Sequence, residues 1–305
     1  MSKIWDMAIV GGGPGGYTAA LYAARAGMQV VVLEKLSAGG QMALTGQVDN
    51  YPGLAEADGF ELGLKMQEQA ESFGVQTELT QVLKMELEGS VKRIETDSGA
   101  FLARTVVIAT GANPRLLGLP EEDKLSGKGV HYCAHCDGMF YRGKTVVVVG
   151  GGNSAVADAL LLSRVAKQVI VVHRRDSLRA TKIYHNALLQ AENVKMYWNS
   201  AIEELLHGDR LSGVKIRDLK SGELMQVDCD GLFVSIGRVP ATQLVEGQLQ
   251  LDEAGYIVAG ESTRTNLPGV YAVGDVRSKE LRQIVTAVAD GAMAAHSAEL
   301  YLAEA

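Results

Sequence analysis

The sequence predicts an α/β fold made of two Rossmann-like units, and two observations carry that expectation. The first is a strand, glycine loop, helix and strand written twice. Residues 11–35, GGGPGGYTAALYAARAGMQVVVLEK, lie on residues 150–174, GGGNSAVADALLLSRVAKQVIVVHR, without a gap, and 9 of the 25 aligned positions are identical. The second is that each copy follows a short apolar run, IVGGG in one and VVVVGGG in the other, as expected of a strand buried on both faces. A period of 139 residues is far too long for a solenoid repeat. The duplication therefore reads as two separate dinucleotide-binding domains.

The bulk properties agree. A chain of 305 residues suits two domains of ordinary size, and 47% hydrophobic with 21% charged residues supplies their cores. The 35 glycines gather after apolar stretches, which points to tight turns against ligands. A net charge of −7 gives no reason to expect nucleic acid or an anionic membrane as partner. The N-terminus, MSKIWDMAIVGGG, runs straight into a strand and reads as no signal peptide. No apolar stretch is long enough for a membrane span. There are three cysteines, Cys133, Cys136 and Cys229; the expected compartment is the cytoplasm, where an isolated CxxC reads as redox-active or metal-binding ahead of a structural staple.

Along the chain, residues 59–73 read as a helix, followed by short strands to about Ala103. RTVVIATGANP reads as a buried strand ending in a loop. Residues 180–191 read as helical, with strands near 194–206, 211–219 and 224–236. LPGVYAVGD reads as a strand ending at Gly274-Asp275, and a long amphipathic helix from about Leu281 to Leu302 closes the chain. Gly111–Arg115 and Gly237–Thr242 carry the Gly and Pro expected of crossings between domains.

Three motifs carry chemistry. In Gly11-x-Gly13-x-x-Gly16 the first glycine permits the tight turn, the second lets backbone approach a pyrophosphate, and the third lets helix and strand pack closely. Glu34, 23 residues after Gly11, ends the next strand, where a carboxylate can accept from ribose hydroxyls. The bland reading is a glycine-rich turn with a surface Glu. The second copy, Gly150-x-Gly152-x-x-Ala155, has His173 where Glu34 stands, with Arg174 and Arg175 directly after it. A carboxylate there would repel a ribose 2′-phosphate, whereas guanidinium groups bind it with paired charged hydrogen bonds. The second copy is thus expected to prefer NADPH over NADH, against the alternative of a solvated basic turn.

The third motif is Cys133-Ala-His-Cys136-Asp137. Two intervening residues allow the sulfurs to close a small disulfide ring, and a following helix would lower one thiol pKa through its dipole. His131, Cys133, His135 and Cys136 could also ligate zinc, but structural zinc sites usually draw on two distant clusters and the sequence has no second one, so no metal is expected. A silent buried cysteine pair is the remaining alternative. Cys229 is expected to pack in the core.

The whole chain resembles the small, bacterial-type thioredoxin reductases. The resemblance rests on GGGPGG, GGQMALTGQVDNYPG, VVIATGANPRLLGLP, CAHCDGMFYRGK, VVVVGGGNSAVADAL, VHRRDSLRA, GLFVSIGRVP and TNLPGVYAVGDV with a following RQ, in the family's order. It implies a discontinuous FAD-binding domain, 1–113 with 241–305, and an NADPH-binding domain, 114–240, carrying the disulfide. Gly11, Gly13, Gly16 and Glu34 would hold the ADP half of FAD. Gln41, Asn50 and Gly111 match flavin-side positions, Asp275 would bind the ribityl chain, and Arg282 and Gln283 would sit by the isoalloxazine. Gly152, Asn153, Ser154 and Ala155 would meet the NADPH pyrophosphate, and His173, Arg174, Arg175 and Arg179 fit the HRRxxxR of the 2′-phosphate site. Cys136 would face the flavin, Cys133 would attack the partner disulfide, and Asp137 would be the general acid. The resemblance also implies thioredoxin or a relative as partner, a homodimer, and a middle domain that rotates between two states.

The sequence departs from the family at His135 inside the CxxC, at Ile284 after the RQ, and at Val288-Ala289-Asp290. These changes bear on redox potential and partner more than on reaction type. The rivals are the flavoprotein of a peroxide-reducing system, a flavin dithiol oxidase or ferredoxin-driven reductase, and a nucleotide-binding sensor without turnover. The first is disfavoured because the chain begins at its first nucleotide-binding strand. VHRRDSLR disfavours the second, and the intact CxxC-Asp the third.

Overall fold

The computed structural model describes residues 3–45, 47–54 and 57–304. It separates into two compact units, Met1–Asn113 with Val239–Ala305, and Pro114–Arg238. The chain crosses at Ala112–Pro114 and Arg238–Pro240, which pair as a two-stranded ladder. Among the described residues no helix is long and apolar enough to cross a membrane.

In the outer unit the strand Ile4–Val10 lies parallel to Val30–Glu34 on one side and to Gly99–Ile108 on the other. Gln76–Leu79 adds a parallel strand beyond Val30–Glu34. Opposite Ile4–Val10, the ten-residue strand Gly99–Ile108 is shared by two further partners. Its first half pairs antiparallel with Lys92–Thr96, and its last three residues pair parallel with Val270–Ala272. Alternate residues of these strands feed two cores. Ala8, Val10, Val31, Leu33, Val106 and Ile108 face one, while Met7, Ile9, Val30, Val32 and Val107 face the other. The second core is closed by the helix Pro14–Arg25 and the C-terminal helix Ile284–Glu304. Gly291 lets these helices meet, because a Cβ there would strike the Gly15 carbonyl and crowd the Ala19 amide.

The inner unit has a five-stranded parallel sheet in the order Val194–Tyr197, Gln168–Val172, Thr145–Val149, Gly231–Val234, Val130–His131. One face, through Val146, Val148, Val169 and Val171, packs on Ala155, Val156, Ala159 and Leu162 of the helix Asn153–Ser163. The other, through Val147, Val149, Ile170 and Val172, packs on Ile202, Leu205, Val214 and Ile216 of a three-stranded antiparallel sheet. The core is thus a layered sandwich with the glycine loop at the carboxyl end of its central strand.

Three expected elements change on folding. The run 194–206 is two strands, broken at Asn199, whose φ of 49° turns the chain out of the parallel sheet into the antiparallel one. The run 224–236 is likewise two strands in two sheets, and the Asp230 amide donates to the Thr145 carbonyl where the second begins. The C-terminal helix begins at Ile284 instead of Leu281, since the Thr286 hydroxyl takes the Gln283 amide and the Ala287 amide bonds the Gln283 carbonyl. That start leaves Arg282 and Gln283 in extended chain before the helix.

Candidate active site

The two glycine loops are built alike. Gly11 has φ +107° and Gly150 φ +143°, and a Cβ at either would strike a carbonyl, Ala109 or Ser235. Above Gly13 and Gly152 nothing lies within 4 Å of an added Cβ, so backbone is open to a close-lying group. A Cβ at Gly16 would strike the Gly11 carbonyl, which explains the third glycine, while Ala155 tolerates its methyl in the second loop. The helices Pro14–Arg25 and Asn153–Ser163 both start without a side-chain cap. Their first amides are the donors that a pyrophosphate satisfies.

Beside the first loop the Glu34 carboxylate accepts from the Gly12 amide at 2.6 Å and the Leu36 amide at 2.9 Å. It is therefore fixed at the end of the strand Val30–Glu34. Of the expected flavin-side residues, the structure joins Asn50 to Gln283, while Gln41 bonds a residue outside that set. Asn50 Nδ2 donates to Gln283 Oε1 at 2.9 Å, and Gln41 Nε2 donates to Asn113 Oδ1 at 3.1 Å. The Gly111 carbonyl accepts from the Ala241 amide. Asp275 stands half-buried in the turn Gly274–Val276 that follows Val270–Ala272. The Arg282 guanidinium lies 4.0 Å over the Tyr256 ring, and its buried Nε has no protein acceptor. A buried charged donor without an acceptor fits a site built for a polar ring or phosphate. The residues present fit FAD.

In the second loop the segment after His173 is tied to the glycines. The Arg179 amide donates to the Gly151 carbonyl at 2.7 Å, and Asn153 Oδ1 accepts from the Thr181 amide and hydroxyl at 2.8 and 3.1 Å. Ser154 is exposed at the first turn of the helix. Arg174, Arg175 and Arg179 are all exposed beside that loop. His173 is set apart from them. Its ring is 4% exposed, packs against Gly151, and donates from Nε2 to the Ser177 carbonyl at 3.1 Å. Burial, with the three arginines adding to it, pushes its pKa down, so the ring is a neutral support under the loop. The expected HRRxxxR set is thus three arginines on a histidine base. These residues fit a nucleotide carrying a 2′-phosphate.

The sulfurs of Cys133 and Cys136 are bonded, with Cα atoms 5.3 Å apart. The helix expected to follow them is a single turn, Ala134–Asp137, running into a tighter turn, Gly138–Tyr141. No long dipole stands behind the thiols. What remains is local: the Cys136 amide points at Cys133 Sγ at 3.2 Å, and the Asp137 amide donates to the Cys133 carbonyl. An amide aimed at sulfur favours the thiolate there. His135 is half-exposed, with Nδ1 3.9 Å from Asp158. His131, raised above as a zinc ligand, is instead held by Asp137 and Tyr141. Cys229 is buried and its thiol pushed up to about 12, chiefly by desolvation, so it is inert. Sequence reasoning missed Tyr141, which no spacing rule links to His131.

The family model "Pyridine nucleotide-disulphide oxidoreductase" matches residues 5–291. A thioredoxin reductase of Peptoclostridium acidaminophilum is 42% identical over 99% of this chain and 98% of its own length. The crystal structure of thioredoxin reductase from Streptococcus pyogenes superposes with a TM-score of 0.93 at 42% identity, covering 100% of both chains. That of Lactococcus lactis gives 0.71 at 41% identity, covering 99% of this chain and 100% of its own. The chain belongs to the pyridine nucleotide-disulphide oxidoreductase family, and within it to the thioredoxin reductases.

Proposed function

We propose that the chain carries electrons from NADPH to the disulfide of thioredoxin or a thioredoxin-like protein. The observation that carries this reading is a bonded CxxC followed by Asp137, in a chain that also holds two open glycine loops. Bound FAD would supply the means of accepting a hydride from NADPH and passing an electron pair to a disulfide. Gly11, Gly13, Gly16 and Glu34 hold the adenosine end of FAD, and Gln41, Asn50, Gly111, Asp275, Arg282 and Gln283 hold its flavin side. Gly152, Asn153, Ser154 and Ala155 receive the NADPH pyrophosphate, and Arg174, Arg175 and Arg179 its 2′-phosphate. Once the pair is reduced, the Cys133 thiolate attacks the partner disulfide, Cys136 resolves the mixed disulfide, and Asp137 handles the proton. The working form is a homodimer, and its compartment is the cytoplasm.

The test is NADPH oxidation by the FAD-loaded protein with oxidised thioredoxin as acceptor. Turnover with thioredoxin is the expected result. Turnover confined to small disulfides or a peroxiredoxin-type partner would favour a dithiol oxidoreductase with another acceptor.

Replacing Arg174 and Arg175 together with Ala is expected to raise the KM for NADPH about tenfold or more and to leave the KM for NADH nearly unchanged. The two guanidiniums are exposed, so the loss falls at the lower end for charged pairs. Steady-state kinetics with both nucleotides checks it, and equal use of both by the parent protein refutes it.

A further inference from the structure

His131 ends the short strand Val130–His131, two residues before the redox pair, and is 6% exposed. Its Nδ1 is 3.1 Å from Oδ2 of Asp137, and its Nε2 is 2.6 Å from the Tyr141 hydroxyl. A carboxylate only accepts, so in the neutral ring Nδ1 carries the proton and Nε2 accepts from the Tyr141 O–H. The hydrogen bonds then run one way, from tyrosine to imidazole to carboxylate. Aromatic packing fixes the ring. Phe233, from Gly231–Val234, stacks on it at 5.3 Å and 27°, and Tyr141 meets it edge-on at 5.2 Å. The charged groups facing Tyr141 are Arg210, which bonds its hydroxyl, Asp137, Asp230, and Lys144, whose Nζ lies 5.4 Å over the ring. Desolvation pushes the Tyr141 hydroxyl up to about 12, so it stays a donor through the neutral range.

We propose that His131, backed by Tyr141, is a positioning residue for the thiol–disulfide step, aiming Asp137 and sharing with it the proton released by Cys133. The proposal rests on the thioredoxin reductase reading. In the reduced protein the Cys133 thiol gives its proton to the Asp137–His131 pair. That pair holds it as carboxyl beside neutral imidazole, or as carboxylate beside imidazolium. The Cys133 thiolate attacks the partner disulfide. A bond forms between Cys133 and one partner sulfur, the partner S–S bond breaks, and the leaving sulfur takes the held proton. Cys136, as thiolate, then attacks the Cys133 sulfur. The enzyme disulfide closes, and the second partner sulfur leaves with the proton that Cys136 gave up. Two electrons and two protons pass to the partner, and the enzyme pair is oxidised. A buried histidine that merely fills space would satisfy its two nitrogens as well, but it would not affect how Cys133 responds to pH.

The experiment follows alkylation of Cys133 by iodoacetamide against pH in dithiothreitol-reduced protein carrying Cys136→Ser. Three proteins are compared: that parent, the parent with His131→Asn, and the parent with Tyr141→Phe. Asparagine keeps an N–H donor but cannot ionise. Phenylalanine removes one oxygen and keeps the ring. The parent is expected to show two inflections, one from the thiol and one from the pair. His131→Asn and Tyr141→Phe are each expected to displace the inflection that comes from the pair. In the protein with both cysteines, His131→Asn is expected to slow thioredoxin turnover about tenfold at neutral pH with the KM for NADPH unchanged. If His131→Asn does not fold, Tyr141→Phe decides alone. A Tyr141→Phe profile that superimposes on the parent's overturns the proposal. If the protein with both cysteines fails to reduce thioredoxin, the functional reading falls, and the alkylation profiles still report on the relay.

Discussion

Replacing Cys136 with Ser is expected to abolish thioredoxin turnover and to leave thioredoxin covalently attached through Cys133. Cys133 sits at the start of the one-turn helix Ala134–Asp137, with the Cys136 amide directed at its sulfur, while Cys136 lies inside that turn. The first sulfur is the better placed to remain a thiolate and attack outward. Without the second sulfur the mixed disulfide has no internal resolving group. The expected fall in turnover is more than about a thousandfold. Non-reducing gel electrophoresis with oxidised thioredoxin reads the adduct directly. If Cys133→Ser gives the adduct and Cys136→Ser does not, the roles are reversed.

Asp290→Asn is expected to destabilise the outer unit by about 3–5 kcal/mol, because it removes the carboxylate that two buried cations share. Asp290 lies on the C-terminal helix and receives the Arg277 guanidinium at 2.7 and 2.9 Å, Lys279 Nζ at 2.7 Å and the Gly274 amide at 2.9 Å. The Arg277, Lys279 and Asp290 side chains are no more than 10% exposed. Burial alone would push the carboxyl up, but the bonds from Arg277 and Lys279 outweigh it and hold the carboxyl below its usual range. A depressed carboxyl contributes stability that is complete above its unfolded pKa, near about 3.9, and lost as pH falls through the lower folded value. The thermal midpoint of the parent protein should therefore fall below about pH 4, and this acid-dependent component should be absent in the Asn variant. At neutral pH the variant should melt more than about 6 °C lower. Equal midpoints would show that the knot contributes nothing. The same carboxylate ties the helix to the turn carrying Asp275, so weaker FAD retention should accompany the loss.

How much of this was legible in the sequence depended on distance along the chain. Both glycine loops were, because turn, helix start and acid or arginine lie within one short unit whose chemistry is written locally. Glu34 could be placed by counting from Gly11. His173 was placed at the right strand end, but its burial could not be read, since it depends on Gly151 leaving room for the ring. A helix was expected to follow the CxxC and to lower one thiol pKa, and nothing local revealed that it ends after one turn at Asp137. Tyr141 and His131 are ten residues apart and meet only because the Gly138–Tyr141 turn folds back on Val130–His131. Asp290 was noted as a departure from the family, but its purpose depends on Arg277 and Lys279, which approach from a separate loop. The break at Asn199 was invisible because apolar residues continue on both sides of it.

The divided pairing of Gly99–Ile108 also sets an order of assembly. Val106–Ile108 waits for Val270–Ala272, while everything needed by the inner unit, Pro114–Arg238, lies between them. On the ribosome the insert can complete its own sheet while the strand that closes its host has yet to be made. Until then the host carries an open, apolar parallel edge, the kind of surface that recruits strands from other molecules. Nascent chains halted before Val270 should for that reason be caught by chaperones through the host, with the insert already resistant to protease.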